Sequence, residues 1–599
     1  MTVAAPDLTN GGGSALADWT TLQVMLVLFA VVVVVLVVKG RSDDPNPFFR
    51  LLRRAPDSLE RLTGIPGWAA ATIGTSLFGL LVAGQGFYSD VSWHIALGRD
   101  DELFTAPHTA IVVGLVLIAG SAVLGILIAT LEKVDTALRW GGLRIPWSAG
   151  LLGLLGLSAV AGFPLDELWH QAYGVDVTMW SPTHMLMILG AAFSGAASWL
   201  VLAEAKVPVS GSRWFRGIHV VAAWLTIQGL TAPLGEFAFG VPQFDQLFHP
   251  IIVCIAAGIA IVAMRLVLGP WWALGITTVS FLLDQTNALS GGDRGSPVET
   301  RAAGLFIVSA VVVEVVARLL GTERRLRFAI VSGLGIGTIG LAGEWAWNAD
   351  AYQPWRAALL PEAVVLGVLV SVAAAVLGVT YASAIRRDGV ARPPAVLLVA
   401  AAVVLVAALA WPMPRRVGDV TAALQVTPAG EGLVDVTATL SPGDAADSAR
   451  WFQVSSWQGG ELALTELRET EPGRWETEEP VPVGGNHKSI LRLHRDGQMM
   501  TVPVFLPEDE EIGEPEIPAA DRTQAFENES TYLLRETEEG GAAFKYAIYG
   551  LLSVVVLLWM AGFALVAAKV SGDSDRPGPR GPRLDLRDRP RRTVAAPAR

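Results

Sequence analysis

HTAIVVGLVLIAGSAVLGILIATL, residues 108–131, runs for 24 residues without an Asp, Glu, Lys or Arg. As an α-helix it would extend ~36 Å, enough to cross the ~30 Å hydrocarbon core of a bilayer. Outward from this stretch, similar apolar runs recur at roughly 22–39, 68–89, 147–165, 184–204, 216–234, 249–268, 270–286, 300–320, 327–345, 359–384, 393–411 and 545–569. Together they make about thirteen candidate transmembrane helices. Composition agrees: of 599 residues, 52% are hydrophobic and only 17% charged, with a mean hydropathy of +0.47. The chain therefore reads as an all-α polytopic membrane bundle of repeated helical hairpins, and nucleic-acid binding is excluded. The single cysteine, Cys254, lies inside one of the runs, which rules out a disulfide framework, a zinc ribbon and thiolate clusters. The first run is not a cleaved signal peptide: no basic region precedes it, it is too long, and no small-residue cleavage site follows.

Lysine and arginine set the expected orientation. Lys39, Arg41, Arg50, Arg53, Arg54 and Arg61 follow the first run, and Lys133, Arg139 and Arg144 the third. Lys206, Arg213 and Arg216 follow the fifth, Arg318, Arg324, Arg325 and Arg327 the ninth, and Arg386, Arg387 and Arg392 the eleventh. The alternate loops hold only Arg99, Arg294 and Arg356, with Arg301 at a helix start. The expectation is a multi-pass plasma-membrane protein with its N-terminus outside and its basic tail, residues 570–599, cytoplasmic. Residues 1–65 are then an N-terminal membrane anchor and cytoplasmic loop, and 66–411 a polytopic helical domain. Residues 412–506 show short alternating strands separated by Gly and Pro turns, the pattern of a small extracytoplasmic β-sandwich of immunoglobulin type. An acidic linker (507–544) and a last transmembrane helix (545–569) follow.

The chemistry lies in an internal repeat. Asp90-Val-Ser-Trp93-His94 ends at Thr105-Ala-Pro107-His108, and Asp166-Glu-Leu-Trp169-His170 ends at Ser181-Pro182-Thr-His184. Each is an acid, three residues, a histidine, thirteen residues and a second histidine. Residues four apart share a helical face, so acid and first histidine point together. The second histidine opens the returning helix and can close on the same point. Two imidazoles and a carboxylate with open positions suit copper, non-haem iron or zinc. Weaker echoes are Glu236-Phe-Ala-Phe with His249-Pro250, Glu344-Trp-Ala-Trp with Pro361-Glu362, and Asp284 with Ser296-Pro297-Val-Glu299. They keep the acid but lose the paired histidines; of these, His249 with Glu236 or Asp245 is carried as a further ligand candidate. A lone interfacial histidine is ordinarily a packing residue and an interfacial tryptophan part of the aromatic belt. Four histidines recurring at one spacing behind an acid is not that pattern, and ionisable groups near the membrane are by default functional. His219, mid-span, reads as structural. His487 and His494 read as surface residues of the β-domain, and Met499 and Met500 as a pair on opposite strand faces.

The first of these segments resembles the copper-site segment found in one membrane-embedded subunit of the copper membrane monooxygenases, the particulate methane, ammonia and short-alkane oxidising enzymes. The family pattern is Asp-x-Ser-Trp-His, then Arg-Asp, then Phe-Thr-Pro-x-His; here it reads Asp90 to His94, Arg99-Asp100, and Phe104 to His108. The resemblance implies one copper on Asp90, His94 and His108. A second would sit on Asp166, His170 and His184, where the family has an Asn in place of the aspartate. The likeness covers roughly residues 65–205. One residue is inserted before Phe104 and Pro107 is displaced by one place. The remaining spans and the β-domain have no counterpart in that family member, and the β-domain lacks the cysteine of a blue-copper site.

The leading expectation is thus a copper monooxygenase or a subunit of one, with Asp90, His94, His108, Asp166, His170 and His184 catalytic. It would oxidise a small apolar substrate with O2, inside the lipid bilayer and with partner subunits or as a homo-oligomer. Electrons would come from a quinol or a partner, since no flavin, haem or nicotinamide motif is visible. The alternatives are a copper transport or loading protein, a non-catalytic docking protein, and hydrolytic zinc chemistry.

Overall fold

A computed structural model describes residues 19–40, 47–97, 104–135, 137–173, 178–210, 212–239, 241–290, 304–349, 354–387, 395–508, 514–533 and 542–572. Arg41, Arg99, Asp100, Arg294, Ser296 to Glu299, Arg301, Arg392 and the tail 573–599 lie outside these residues. Each apolar run of the sequence contains a helix. The helices are α1 (Trp19–Gly40), α2 (Pro47–Thr63), α3 (Gly67–Leu97), α4 (Ala106–Leu131), α5 (Trp147–Tyr173), α6 (Pro182–Glu204), α7 (Arg213–Thr231) and the short α8 (Gly235–Phe239). They continue as α9 (Phe248–Ala256), α10 (Val262–Leu268), α11 (Trp272–Ser290), α12 (Ile307–Leu320), α13 (Arg325–Gly335), α14 (Leu341–Asn348), α15 (Leu360–Arg386), α16 (Ala395–Ala410), α17 (Ser530–Leu533) and α18 (Ala542–Gly572). Single π-helical turns, Ala257–Ile261 and Ile336–Gly340, join α9 to α10 and α13 to α14. Among the described residues, nine helical stretches are long and apolar enough to cross a membrane. Helix α2 falls in a stretch the sequence reads as loop. Its apolar residues interleave with Arg50, Arg54 and Arg61, so it shows no continuous apolar run.

Consecutive helices pack as hairpins, α3 on α4 and α5 on α6, with α4 against α5 and α18 against α5, α6 and α15. Glycines allow the close crossings. Gly114 lies against Ala83, Gly156 against Ala119, and Gly190 against Leu155 and Ala159. A Cβ on Gly114 would approach Ala83 to 2.5 Å, so backbones meet where small residues face each other.

Helix ends are closed by carboxylates from the neighbouring helix. Glu132, just past α4, accepts from the Trp68 amide at the start of α3 (3.3 Å). Glu204, at the end of α6, accepts from the Trp147 and Ser148 amides at the start of α5 (2.9 and 2.8 Å). Glu314 of α12 accepts from the Trp271 amide before α11 (2.7 Å) and pairs with Arg265. Glu344 of α14 accepts from the Leu305 and Phe306 amides ahead of α12 (2.7 and 2.6 Å). The first two repeat the same device: tryptophan opens the first helix of a hairpin and glutamate ends the second. This is a second layer of the internal repeat, invisible in the histidine spacing.

Two short strands, β1 (Leu138–Trp140) and β2 (Leu143–Ile145), form a hairpin between α4 and α5. The remaining strands form a separate β-rich, barrel-like domain: β3 (Thr421–Gly430), β4 (Leu433–Ser441), β5 (Trp451–Trp457), β6 (Ala463–Glu471), β7 (Arg474–Thr477), β8 (Val481–Pro482), β9 (Lys488–Arg495), β10 (Gln498–Phe505), β11 (Arg522–Ala525) and β12 (Glu527–Asn528). The hydrogen-bonded path runs β11-β3-β4-β7-β6-β5-β9-β10-β12, with β8 beside β4. Strands β11 and β12 come from the stretch expected to be linker; Leu506 and Ile517 bridge across the acidic segment and return the chain to β3. The inner face is apolar, with Ala422, Leu424, Val436, Val454, Leu493 and Val502 at its centre.

Strand β5 is buried on both faces because its second face meets the helix bundle. Arg450 pairs with Asp245 and Glu362, and Arg492 with Glu529 and the Pro242 carbonyl. His494, expected at the surface, is in fact 1% exposed: it bonds to Glu529 and stacks on Trp451. A strand pattern does not reveal that the outward face is covered by another domain. Met499 and Met500 are both buried in β10, and His487 is only partly covered, near Ser456.

Burial alone would raise the Glu529 carboxyl, but Arg492 and His494 outweigh it and hold it at about 2. A depressed carboxylate contributes stability that is complete above the ordinary glutamate range and is lost as pH falls toward 2. Glu529→Gln leaves the Arg492 guanidinium buried and uncompensated, and should cost about 3–5 kcal/mol. Thermal melting against pH checks both: the acid-side decline should be shallower in the variant.

Candidate metal centre

The first histidine set assembles at one end of the α3–α4 hairpin. Asp90 and His94 lie on the last two turns of α3, one helical turn apart. Helix α4 begins at Thr105, whose hydroxyl accepts from the His108 amide, with Pro107 in the first turn. That N-cap fixes where His108 leaves the backbone. Nε2 of His108 lies 3.0 Å and Nε2 of His94 3.5 Å from Oδ1 of Asp90. The two imidazoles are 5.7 Å apart and tilted by 29°. The donor atoms of all three residues lie within 4.8 Å of one another, the one such group among the described residues.

Donor chemistry fits a transition metal. Separations of 3.0 and 3.5 Å bracket the ligand–ligand spacing of roughly 3.3–3.5 Å that bonds of ~2.0–2.1 Å give around a tetrahedral ion. Asp90 Oδ1 is buried and is the point on which both Nε2 atoms converge. The side chains of His94 and His108 are each 21% exposed, so the group is reachable from outside the helix pair. On the inner side, Phe163 of α5 meets His108 edge-on at 6.4 Å and Phe104 at 6.2 Å, closing the site with apolar surface.

The equivalent place on the α5–α6 hairpin holds Asp166 and His184. Ser181 caps α6 and accepts from the His184 amide, as Thr105 does for His108. His184 Nε2 lies 3.2 Å from Asp166 Oδ2, while Thr183 donates to Asp166 Oδ1 at 2.6 Å. His184 Nδ1 is 2.9 Å from the Thr178 carbonyl, an acceptor that places the proton on Nδ1 and turns Nε2 toward the aspartate. The backbone of His170 continues α5, but its side chain lies outside the described residues.

The weaker candidates are used differently. Glu236 accepts from the Thr178 hydroxyl (3.1 Å), the Met179 amide (2.9 Å) and the Gln243 amide (2.8 Å). Its carboxylate therefore holds the loop whose Thr178 carbonyl orients His184. His249 accepts from the Trp355 indole at 3.1 Å and stacks on Phe237. Among the described residues these two join no ligand group. Asp245 bonds the Leu247 amide and Arg450, and Asp284 accepts from Gln228. His219 is fully buried between the Trp199 indole and the Val207 carbonyl. Sequence spacing did not reveal the Glu236–Thr178–His184 relay, because its links are 58 and six residues apart and run partly through backbone.

No family model, curated protein or solved structure matches the chain.

Removing the relay's anchor should loosen the loop without touching a histidine. Glu236→Ala strands two buried amides and should destabilise the protein by about 1.5–3 kcal/mol. Hydrogen exchange should accelerate at Met179 and Gln243 while the glycine-packed middle of α4 keeps its protection.

Proposed function

We propose that this is a copper-binding monooxygenase of the plasma membrane, or a subunit of one, with its metal sets at the extracytoplasmic face and a small apolar substrate. The observation that carries this reading is the convergence of Asp90, His94 and His108 on one point, with all their donor atoms within 4.8 Å of one another. Asp166 and His184, with His170 on the same helix, are the second set. Copper is preferred to iron or zinc on the likeness of residues 90–108 to the copper-site segment of the copper membrane monooxygenases, since the donor set itself accepts all three. Bound copper would supply one-electron redox chemistry toward O2. The chain's own contribution is to aim three donors, leave coordination positions open, and exclude water with Phe104 and Phe163. Electrons come from a quinol or a partner subunit.

On this reading all thirteen apolar helices are spans, the N-terminus and an immunoglobulin-like β-sandwich lie outside, and the basic tail is cytoplasmic. One independent feature supports the sidedness. Lysine and arginine counts assign the 90–108 turn and the 412–543 segment to the same side, and the β-domain hydrogen-bonds to the end of α3.

The test is metal content of detergent-purified protein. Wild type should retain copper, and a His94→Ala/His170→Ala double variant should lose it with its oxygen consumption. Iron or zinc lost in the same way would keep the centre and overturn the copper assignment. Copper held without oxygen consumption in the presence of a quinol would move the protein to metal loading, and a well-folded wild type that takes up no metal would sink the proposal.

A further inference from the structure

Asp90 and His94 sit where a helix is least secure. The last four carbonyls of an α-helix have no partner within it, and such an end frays unless something else bonds them. In α3 those carbonyls begin at His94 itself. Two of them are closed by the β-domain: the Gln458 amide donates to Ile95 O at 3.1 Å, and the Gly460 amide to Ala96 O at 2.8 Å. Both donors lie in the turn between β5 and β6, in left-handed backbone, at φ +66° for Gln458 and +98° for Gly460. That conformation turns two nearby amides toward one helix end.

The same hairpin inserts a side chain. Leu462 packs with Ile95, Ala96 and Met179 on one side and with Trp457 and Ile490 of the β-domain on the other. Met179 follows Thr178, whose carbonyl orients His184. The hairpin thus bears on the supports of both histidine sets.

We infer that the β5–β6 hairpin is a positioning element of the metal centre: it caps α3 directly behind His94 and holds Asp90 and His94 on the point that His108 completes. The inference rests on the metal reading of that site. It gives the β-domain a role at the centre without supplying a ligand. Gln458, Gly460 and Leu462 are positioning residues, acting through helix order and not through the metal.

The experiment compares Gln458→Val with Gln458→Gly in the full-length, detergent-purified protein. Both remove the side chain. Valine is strongly disfavoured at positive φ, whereas glycine adopts it freely, so only the first disturbs the aim of the amides. Three readouts are taken: hydrogen exchange at the end of α3, copper affinity by chelator competition, and the copper(II) electron paramagnetic resonance spectrum. Gln458→Val should speed exchange at the α3 end, weaken copper by about tenfold or more, and shift the spectrum, while Gln458→Gly stays close to wild type. Exchange in β9 reports whether the β-domain is intact. Should Gln458→Val disturb it, Leu462→Ala, which keeps both amides and thins only the apolar plug, is expected to move the same three readouts in the same direction. An intact variant with faster α3 exchange but wild-type affinity and spectrum would overturn the inference and leave the metal site standing. A wild type that binds no copper would overturn both, and is told apart because every protein in the series is then metal-free.

Discussion

Backbone groups at helix ends, left without partners in their own helix, are the constraint on which this structure depends. Inside a helix each amide finds a carbonyl; at the ends four donors and four acceptors remain. Where they are buried, those groups must be satisfied by protein. Here the answer is repeated. A glutamate at the close of one helix receives the first amides of its neighbour, as Glu204 does for Trp147 and Ser148 and Glu344 for Leu305 and Phe306. A hydroxyl does the same one turn before His108 and His184. These bonds fix the relative height of neighbouring helices, and that height brings Asp90 on α3 level with His108 on α4.

The β-domain belongs to the same logic. Its strand β5 is buried along its whole length, and arginines beside it, just ahead of β5 and on the neighbouring β9, meet the bundle. Arg450, just ahead of β5, pairs with Asp245 and Glu362, and Arg492 reaches the Pro242 carbonyl while bound to Glu529. Buried ion pairs of this kind contribute little net stability over apolar packing, but breaking one leaves a charge with no solvent. They lie on the same side of the β-domain as the β5–β6 turn that reaches α3.

The sequence made some of this legible and hid the rest for physical reasons. Helices were readable because hydrocarbon-length apolar runs have few other uses. The triad was readable because Asp90 and His94 are one turn apart, and a Thr-x-Pro-His start places His108 at a predictable height. The domain contacts were not, since a strand covered by a second domain keeps the alternation of one that faces water. Arg492 shows this: its position in β9 suggests exposure, and only the distant Pro242 carbonyl and Glu529 show why it is buried. Helix α2 was missed because its arginines interrupt every apolar run. The roles of the glutamates were hidden too, because a cap and a ligand are the same residue in the same place at a helix end.

That ambiguity has a physical resolution, and it accounts for the fading of the repeat along the chain. A carboxylate has about four lone-pair positions to give. At Glu344 two backbone amides take one oxygen each, and at Glu236 two amides and a hydroxyl share the pair. A group so occupied is already neutralised by fixed dipoles, and a metal would have to displace bonds that close helix ends. Asp166 is intermediate, with one oxygen taken by Thr183 and the other facing His184. Asp90 stands at the opposite limit: its buried Oδ1 faces two imidazoles, at 3.0 and 3.5 Å. The hairpins therefore share one architecture but grade from a carboxylate that closes a helix end to one that faces imidazoles, according to how many amides reach it first. In the α3–α4 hairpin the capping is done elsewhere, by Glu132 at the start of α3, Thr105 at the start of α4 and the β-domain turn at the end of α3. With those ends already closed, Asp90 is released from the structural duty its counterparts perform.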